Sequence, residues 1–241
     1  MKRNNNLTIS YVKLRQLIGV LGLIFPAVCF LAGFIFANLP LQRSISIYYH
    51  SNVRDIFTGF LVCVSAFLIT YKGYLPVDNI VTSLCGSSCL GVAVFPCKGQ
   101  YIWPRLTGIF LMDPAVSNKL HLICAGTFFF LLAVNAFFLF TKTDKKSAMT
   151  REKKKRNIVY RICGLAIFIS LAALGILYVV FSEKDEVLIK YHITFWLETI
   201  MLIAFGASWL IKGETLLKDR LGQEKNKRRS KLMRRYAPFR R

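Results

Sequence analysis

Apolar and polar positions alternate along this chain in blocks of about twenty residues. Apolar runs cover 18–39, 55–71, 78–95, 120–140, 158–181 and 192–211, and polar, mostly basic segments separate them. A helix crossing the hydrocarbon core of a bilayer needs roughly 20 apolar residues. The pattern therefore predicts an all-α polytopic membrane protein with six spanning helices. Residues 1–17 form a polar to amphipathic N-tail, 18–212 the six-helix domain, and 213–241 a basic tail. The first run is expected to stay as an uncleaved helix. It is long for the apolar core of a signal peptide, and no small-x-small cleavage site precedes Pro40. Pro26 is a candidate kink within it.

Punctuation supports the same division. Gly73 and Pro76 predict a tight turn after the second run, and Pro96 ends the third. That third run carries Ser83, Gly86, Ser87, Ser88 and Gly91, small residues suited to close helix packing. Residues 97–118 form a longer loop with interfacial aromatics at Tyr101 and Trp103. Its apolar piece, 106–112, is too short to span and is expected to lie at the interface or re-enter.

Composition agrees: 54% of residues are hydrophobic, 20 are Phe, and the mean hydropathy is +0.45. The formal net charge of +21 would suggest nucleic acid in a soluble protein. Here the cations sit between and after the apolar runs, so membrane topology and anionic lipid explain them and no nucleic acid is expected. With six spans and the N-terminus inside, 26 of the 33 Lys and Arg fall on the inner side. Both termini are therefore expected to be cytoplasmic, with the tail against anionic lipid.

Candidate chemistry concentrates at the opposite side. In the stretch 44–55, Ser46, His50 and Arg54 are four apart and would share a face if the chain is already helical, and Asp55 follows. The three His of the chain, His50, His121 and His192, open the second, fourth and sixth spans and so lie at one level. Three imidazoles with an open fourth position are a catalytic zinc arrangement, and Asp55 or Glu198 would serve as base toward the metal water. Two plainer readings stand beside it: a metal-free polar pocket, and interfacial His that are solvated and unrelated. Glu198, an acid inside an apolar run, is expensive unless paired, and it is expected to face the bundle and meet Arg54, His50 or a small-residue groove. Arg54, Tyr49 and Asp113 are candidate ligand contacts, although interfacial anchoring explains Tyr49 equally well. Asn135 reads as helix–helix glue. The seven Cys give no disulfide framework, and Cys85 and Cys89, on one helix face, read as packing. No phosphate loop, nucleophile elbow or dinucleotide fingerprint is present.

Two resemblances follow from these residues. Ser46-x-x-x-His50 resembles the Ser-x-x-x-His signature of the membrane hydrolase superfamily of alkaline ceramidases and adiponectin-receptor-like proteins. That likeness implies a seven-span zinc hydrolase cleaving lipid amides, with His50 as ligand and Ser46 polarising. The chain departs from it at its last span, where His192-Ile-Thr-Phe-Trp196 stands in place of His-x-x-x-His. Residues 44–140, through Ser-Ile-Ser-x-Tyr-Tyr, Arg54-Asp55-x-Phe57-x-Gly59, Tyr71-Lys-Gly-Tyr74 and Val92-Ala-Val-Phe-Pro96, also resemble a group of uncharacterised bacterial multi-span proteins. This second likeness implies a bacterial inner membrane and no particular activity. Two function classes stay open. One is a metal-assisted lipid or amide hydrolase using Ser46, Asp55 and Glu198 around zinc. The other is a non-enzymatic lipid or small-ligand binder, transporter or accessory subunit.

Overall fold

The computed structural model describes residues 11–73, 75–99, 106–142, 151–181 and 186–213. The start of the N-tail, Tyr101 and Trp103, most of the basic loop before Arg151, and the basic tail beyond Gly213 lie outside them. The described residues are mostly helical, with no strand among them. In chain order they form α1 (Tyr11–Ala37), a 3-10 turn (Ile45–His50), α2 (Arg54–Thr70), α3 (Pro76–Val94) and α4 (Pro114–Val134). A π turn (Asn135–Leu139) continues α4, and α5 (Arg151–Val180), the short α6 (Glu186–Lys190) and α7 (Ile193–Lys212) follow.

Five of these helices are long and apolar enough to cross a membrane: α1, α3, α4 with its π turn, α5 and α7. The expectation of a multi-pass membrane protein rests on them. The expected second span, α2, has 17 residues and falls outside that set. By the 1.5 Å rise per residue it reaches about 26 Å. Its start is set by Ser51, which is extended at φ −129° and ψ 173°. The Ser51 hydroxyl donates to Tyr48 O at 2.7 Å and accepts from Val53 N at 3.3 Å. Such local bonds compete with the helix, so the 44–55 stretch is a 3-10 turn and a break. Ser46, His50 and Arg54 therefore share no single helix face.

The outward surfaces fit a lipid environment. Ile35 of α1, Ile123 of α4, and Ile162, Ile169 and Val179 of α5 are all more than 60% exposed. A continuous exposed apolar surface of this kind is unstable in water and neutral against hydrocarbon.

The long helices close into a ring in the order α1, α2, α3, α4, α5, α7. Two seams show why these sequences pack. At the α1–α7 crossing, a Cβ on Gly19 would lie 2.9 Å from Gly206 O, and one on Gly206 would lie 2.6 Å from Gly19 O. The two backbones touch there because neither residue carries a side chain. Between α2 and α3, the buried Ser65 hydroxyl donates to Gly86 O at 2.8 Å, where a Cβ on Gly86 would meet Ser65 O. The ring is filled by Leu132, Met201, Phe205 and Trp209, and Trp209 meets Phe140 and Tyr71 edge-on.

Opposite ends of the bundle differ chemically. One end joins Gln16 to Gly213 O, holds the Lys142–Asp78 ion pair at 2.9 Å and sets Lys212 over the Phe140 ring. The other end carries the 3-10 turn, the end of α3 and the starts of α4 and α7. That second end holds the candidate site.

Candidate functional site

The site is built around the backbone carbonyls of the segment that follows α3. The helix stops at Val94 and Pro96 prevents its continuation, so the carbonyls of this segment need partners from elsewhere. Four consecutive carbonyls beyond that point each receive a side chain from elsewhere. His121 Nδ1 donates to Phe95 O at 2.8 Å, Ser117 Oγ to Pro96 O at 2.8 Å, and His50 Nε2 to Cys97 O at 2.6 Å. Arg43 Nη2 reaches Lys98 O at 3.5 Å. The backbone N–H of Lys98 in turn donates to Asn118 Oδ1 at 2.9 Å. Ser117, Asn118 and His121 all come from the first turns of α4. That helix begins where it does because Asp113 caps it, accepting from Ala115 N and Val116 N, with Pro114 at its first position.

Ser46 completes the arrangement from the 3-10 turn. Its Oγ lies 3.1 Å from His121 Nε2. The hydrogen positions follow from the partners. A carbonyl can only accept, so Nδ1 of His121 carries a proton. In the neutral ring Nε2 is then an acceptor, and the Ser46 hydroxyl donates to it. Cys97 Sγ contacts Ser46 O at 3.3 Å from the other side of the turn.

Glu198 holds the same turn from α7. Its Oε2 accepts from Ile45 N at 2.6 Å, and Arg43 O accepts from Phe195 N at 3.0 Å, so segment 43–45 is clamped to the first turns of α7. The Oε1 oxygen has no protein partner among the described residues.

These groups open onto a cavity of about 380 Å³ between α4, α5 and α7. Its polar lining includes Arg43, Ser46, Lys98, Asn118, His121 and Glu198. The depth is apolar, formed by Ala125, Phe129, Leu171 and Leu174. Gly126 of α4 and Gly175 of α5 also line the cavity, and a Cβ on either would meet nothing within 4 Å. Their missing side chains leave the cavity open. Its volume falls in the range of small-molecule sites.

The remaining sequence candidates divide clearly. His50, His121 and His192 share one end of the bundle, but each ring turns to a different carbonyl: Cys97, Phe95 and Gln42. Among the described residues no three His, Cys, Asp or Glu side chains form a group able to hold a metal ion. The donors needed for zinc are therefore not assembled here. Arg54 and Glu198 do not pair. Arg54 lies over the Tyr49 ring and 3.8 Å from Asp55, whose side chain is 94% exposed. Asp55 stands away from the cavity lining, and Asp113 serves as a helix cap. Asn135 bonds within its own helix, to Leu131 O at 3.1 Å, where the π turn begins. Cys85 and Cys89 are buried against Phe128 O and Leu61 O as packing thiols. Sequence reasoning missed Ser117, Asn118, Gly126 and Gly175. The cap at Asp113-Pro114 was the available signal, because it places Ser117, Asn118 and His121 on the adjoining turn.

Comparison with family models, curated proteins and solved structures gives no match for this chain.

Proposed function

We propose that this is a six-span plasma-membrane protein, with both termini cytoplasmic, that binds one phospholipid in the cavity between α4, α5 and α7. The observation that carries the reading is the cavity's own polarity. Arg43 and Lys98 in its lining suit a phosphate, the unpartnered Glu198 oxygen suits a hydroxyl or amine of the same head group, and the apolar part of the lining suits an acyl chain. On this reading α2 crosses as the sixth span together with the turn before it. The cavity then opens on the non-cytoplasmic side, because the basic start of α5 lies at the other end. The basic tail adds attraction to the anionic inner leaflet.

The glycines supply the test. In Gly126→Leu/Gly175→Leu the new Cβ atoms enter open space, so the fold is expected to survive while the acyl slot fills. Native mass spectrometry of protein extracted in mild detergent should show one retained phospholipid in the wild type. The double variant should show occupancy reduced about tenfold, corresponding to roughly 1.4 kcal/mol. Equal occupancy in both proteins, or neither phospholipid nor a product of its hydrolysis retained in the wild type, refutes the reading.

A further inference from the structure

We infer that Ser46 and His121 form a nucleophile–base pair that cleaves a carboxylic ester of the lipid held in the cavity. This rests on the phospholipid reading above and adds a reaction to it. Three independent features meet at one place. The Ser46 hydroxyl donates to His121 Nε2 at 3.1 Å, within the reach required for activation. The other ring nitrogen is fixed on Phe95 O at 2.8 Å, which sets the tautomer and holds the ring, the role an acid plays in many triads. Both residues line the cavity whose apolar depth would place an acyl chain beside them. A satisfied buried His needs one partner for each nitrogen. Here the second partner is a hydroxyl on the cavity wall, where a bound ester carbonyl would lie.

The chemistry balances with water as co-reactant. Ser46 Oγ attacks the ester carbonyl carbon while its proton passes to His121 Nε2. The bond from that carbon to the alcohol oxygen then breaks, and the alcohol leaves with the proton from His121. Water attacks the resulting acyl-Ser46 ester, losing a proton to His121. The Ser46–acyl bond breaks, the fatty acid departs, and Ser46 Oγ recovers the proton. Asn118 is the group available to the carbonyl oxygen as charge develops. Its Oδ1 is committed to Lys98 N, so its Nδ2 donors are left for the cavity that it lines.

An alkyl fluorophosphonate bearing a long chain tests the pair directly, because it reacts with activated serines and enters as a lipid would. Detergent-extracted full-length protein is treated with the probe, digested and mapped by mass spectrometry, and its retained phospholipid is measured in parallel. The label should fall on Ser46 and vanish in Ser46→Ala. In His121→Gln, which keeps a donor for Phe95 O but has no basic nitrogen, labelling should slow by about 100-fold or more. An unlabelled Ser46 in protein that retains phospholipid overturns the dyad and leaves the binding reading intact. Label on Ser46 in protein that retains neither phospholipid nor its hydrolysis product upholds the dyad and overturns the binding reading. Absence of both overturns both. Labelling of His121→Gln at the wild-type rate overturns the base assignment.

Discussion

Ser117 is the residue on which the order of the 95–98 segment can be measured without touching the cavity. Its hydroxyl is buried and serves Pro96 O alone. Ser117→Ala leaves that carbonyl unsatisfied, a loss of about 1–3 kcal/mol. The thermal unfolding midpoint in detergent should fall by several degrees. Asp55→Ala should by contrast stay within about 0.5 kcal/mol, since its ion pair with Arg54 is solvent-exposed. From the sequence the two residues rank the other way. A charged residue beside an apolar run attracts attention, and a serine in a loop before one does not. What separates them is whether the neighbouring backbone already has partners, and adjacent residues do not reveal that. His121 was legible as a candidate by type. Its partner was not, because Ser46 lies 75 positions away and reaches it only through the turn that Glu198 clamps.

Glycine positions make the corresponding point for whole helices. Gly206→Leu should force α1 and α7 apart, because any Cβ at that position meets Gly19 O and Leu23 N at 2.6 Å. Overpacking of this kind costs about 1–3 kcal/mol or more, read as a lower unfolding midpoint and poorer recovery of folded protein. Gly175→Ala should instead raise the midpoint. It sits in the interior of α5, its Cβ meets open space, and Ala favours a helix over Gly by roughly 0.8–1 kcal/mol. Two glycines in apolar runs thus carry opposite expected signs. The small residues of the third run were legible as a packing face, and Gly86 and Gly91 do sit against α2 and α4. Helix limits were less legible. Apolar runs mark where lipid is met, whereas α1 and α5 extend beyond it through amphipathic and basic residues. Lys, Arg and Glu are themselves good helix formers.

At the scale of the molecule, the two ends of the bundle predict a topology. Lys119 lies exposed at the cavity end and Lys155 exposed at the start of α5, at the other end. Cysteine placed at Lys119 should react with a membrane-impermeant maleimide on intact cells. Cysteine at Lys155 should react only after permeabilisation. The reverse result would invert the orientation, and equal reactivity would refute alternation of the ends. The same arrangement explains why one end gathers His50, His121 and His192 without making them a metal centre. Alternating helices bring every second helix start to the same level, but ring direction is decided by the nearest unpaired carbonyl.

The order of residues by itself determined that this chain belongs in a membrane, roughly where its long helices lie, and at which helix starts its imidazoles fall. Those properties follow from block hydropathy and charge, which are local sums along the chain. Tertiary structure alone decided that Ser46 meets His121, that Glu198 takes Ile45 N, and that Gly126 and Gly175 face open space. Each of these depends on which helices become neighbours and how far each rotates, so no single segment encodes it. The unpaired carbonyls after α3 are the physical link between the two levels. Helix termination, legible from Pro96, creates their demand for donors, and only the assembled ring determines which donors arrive.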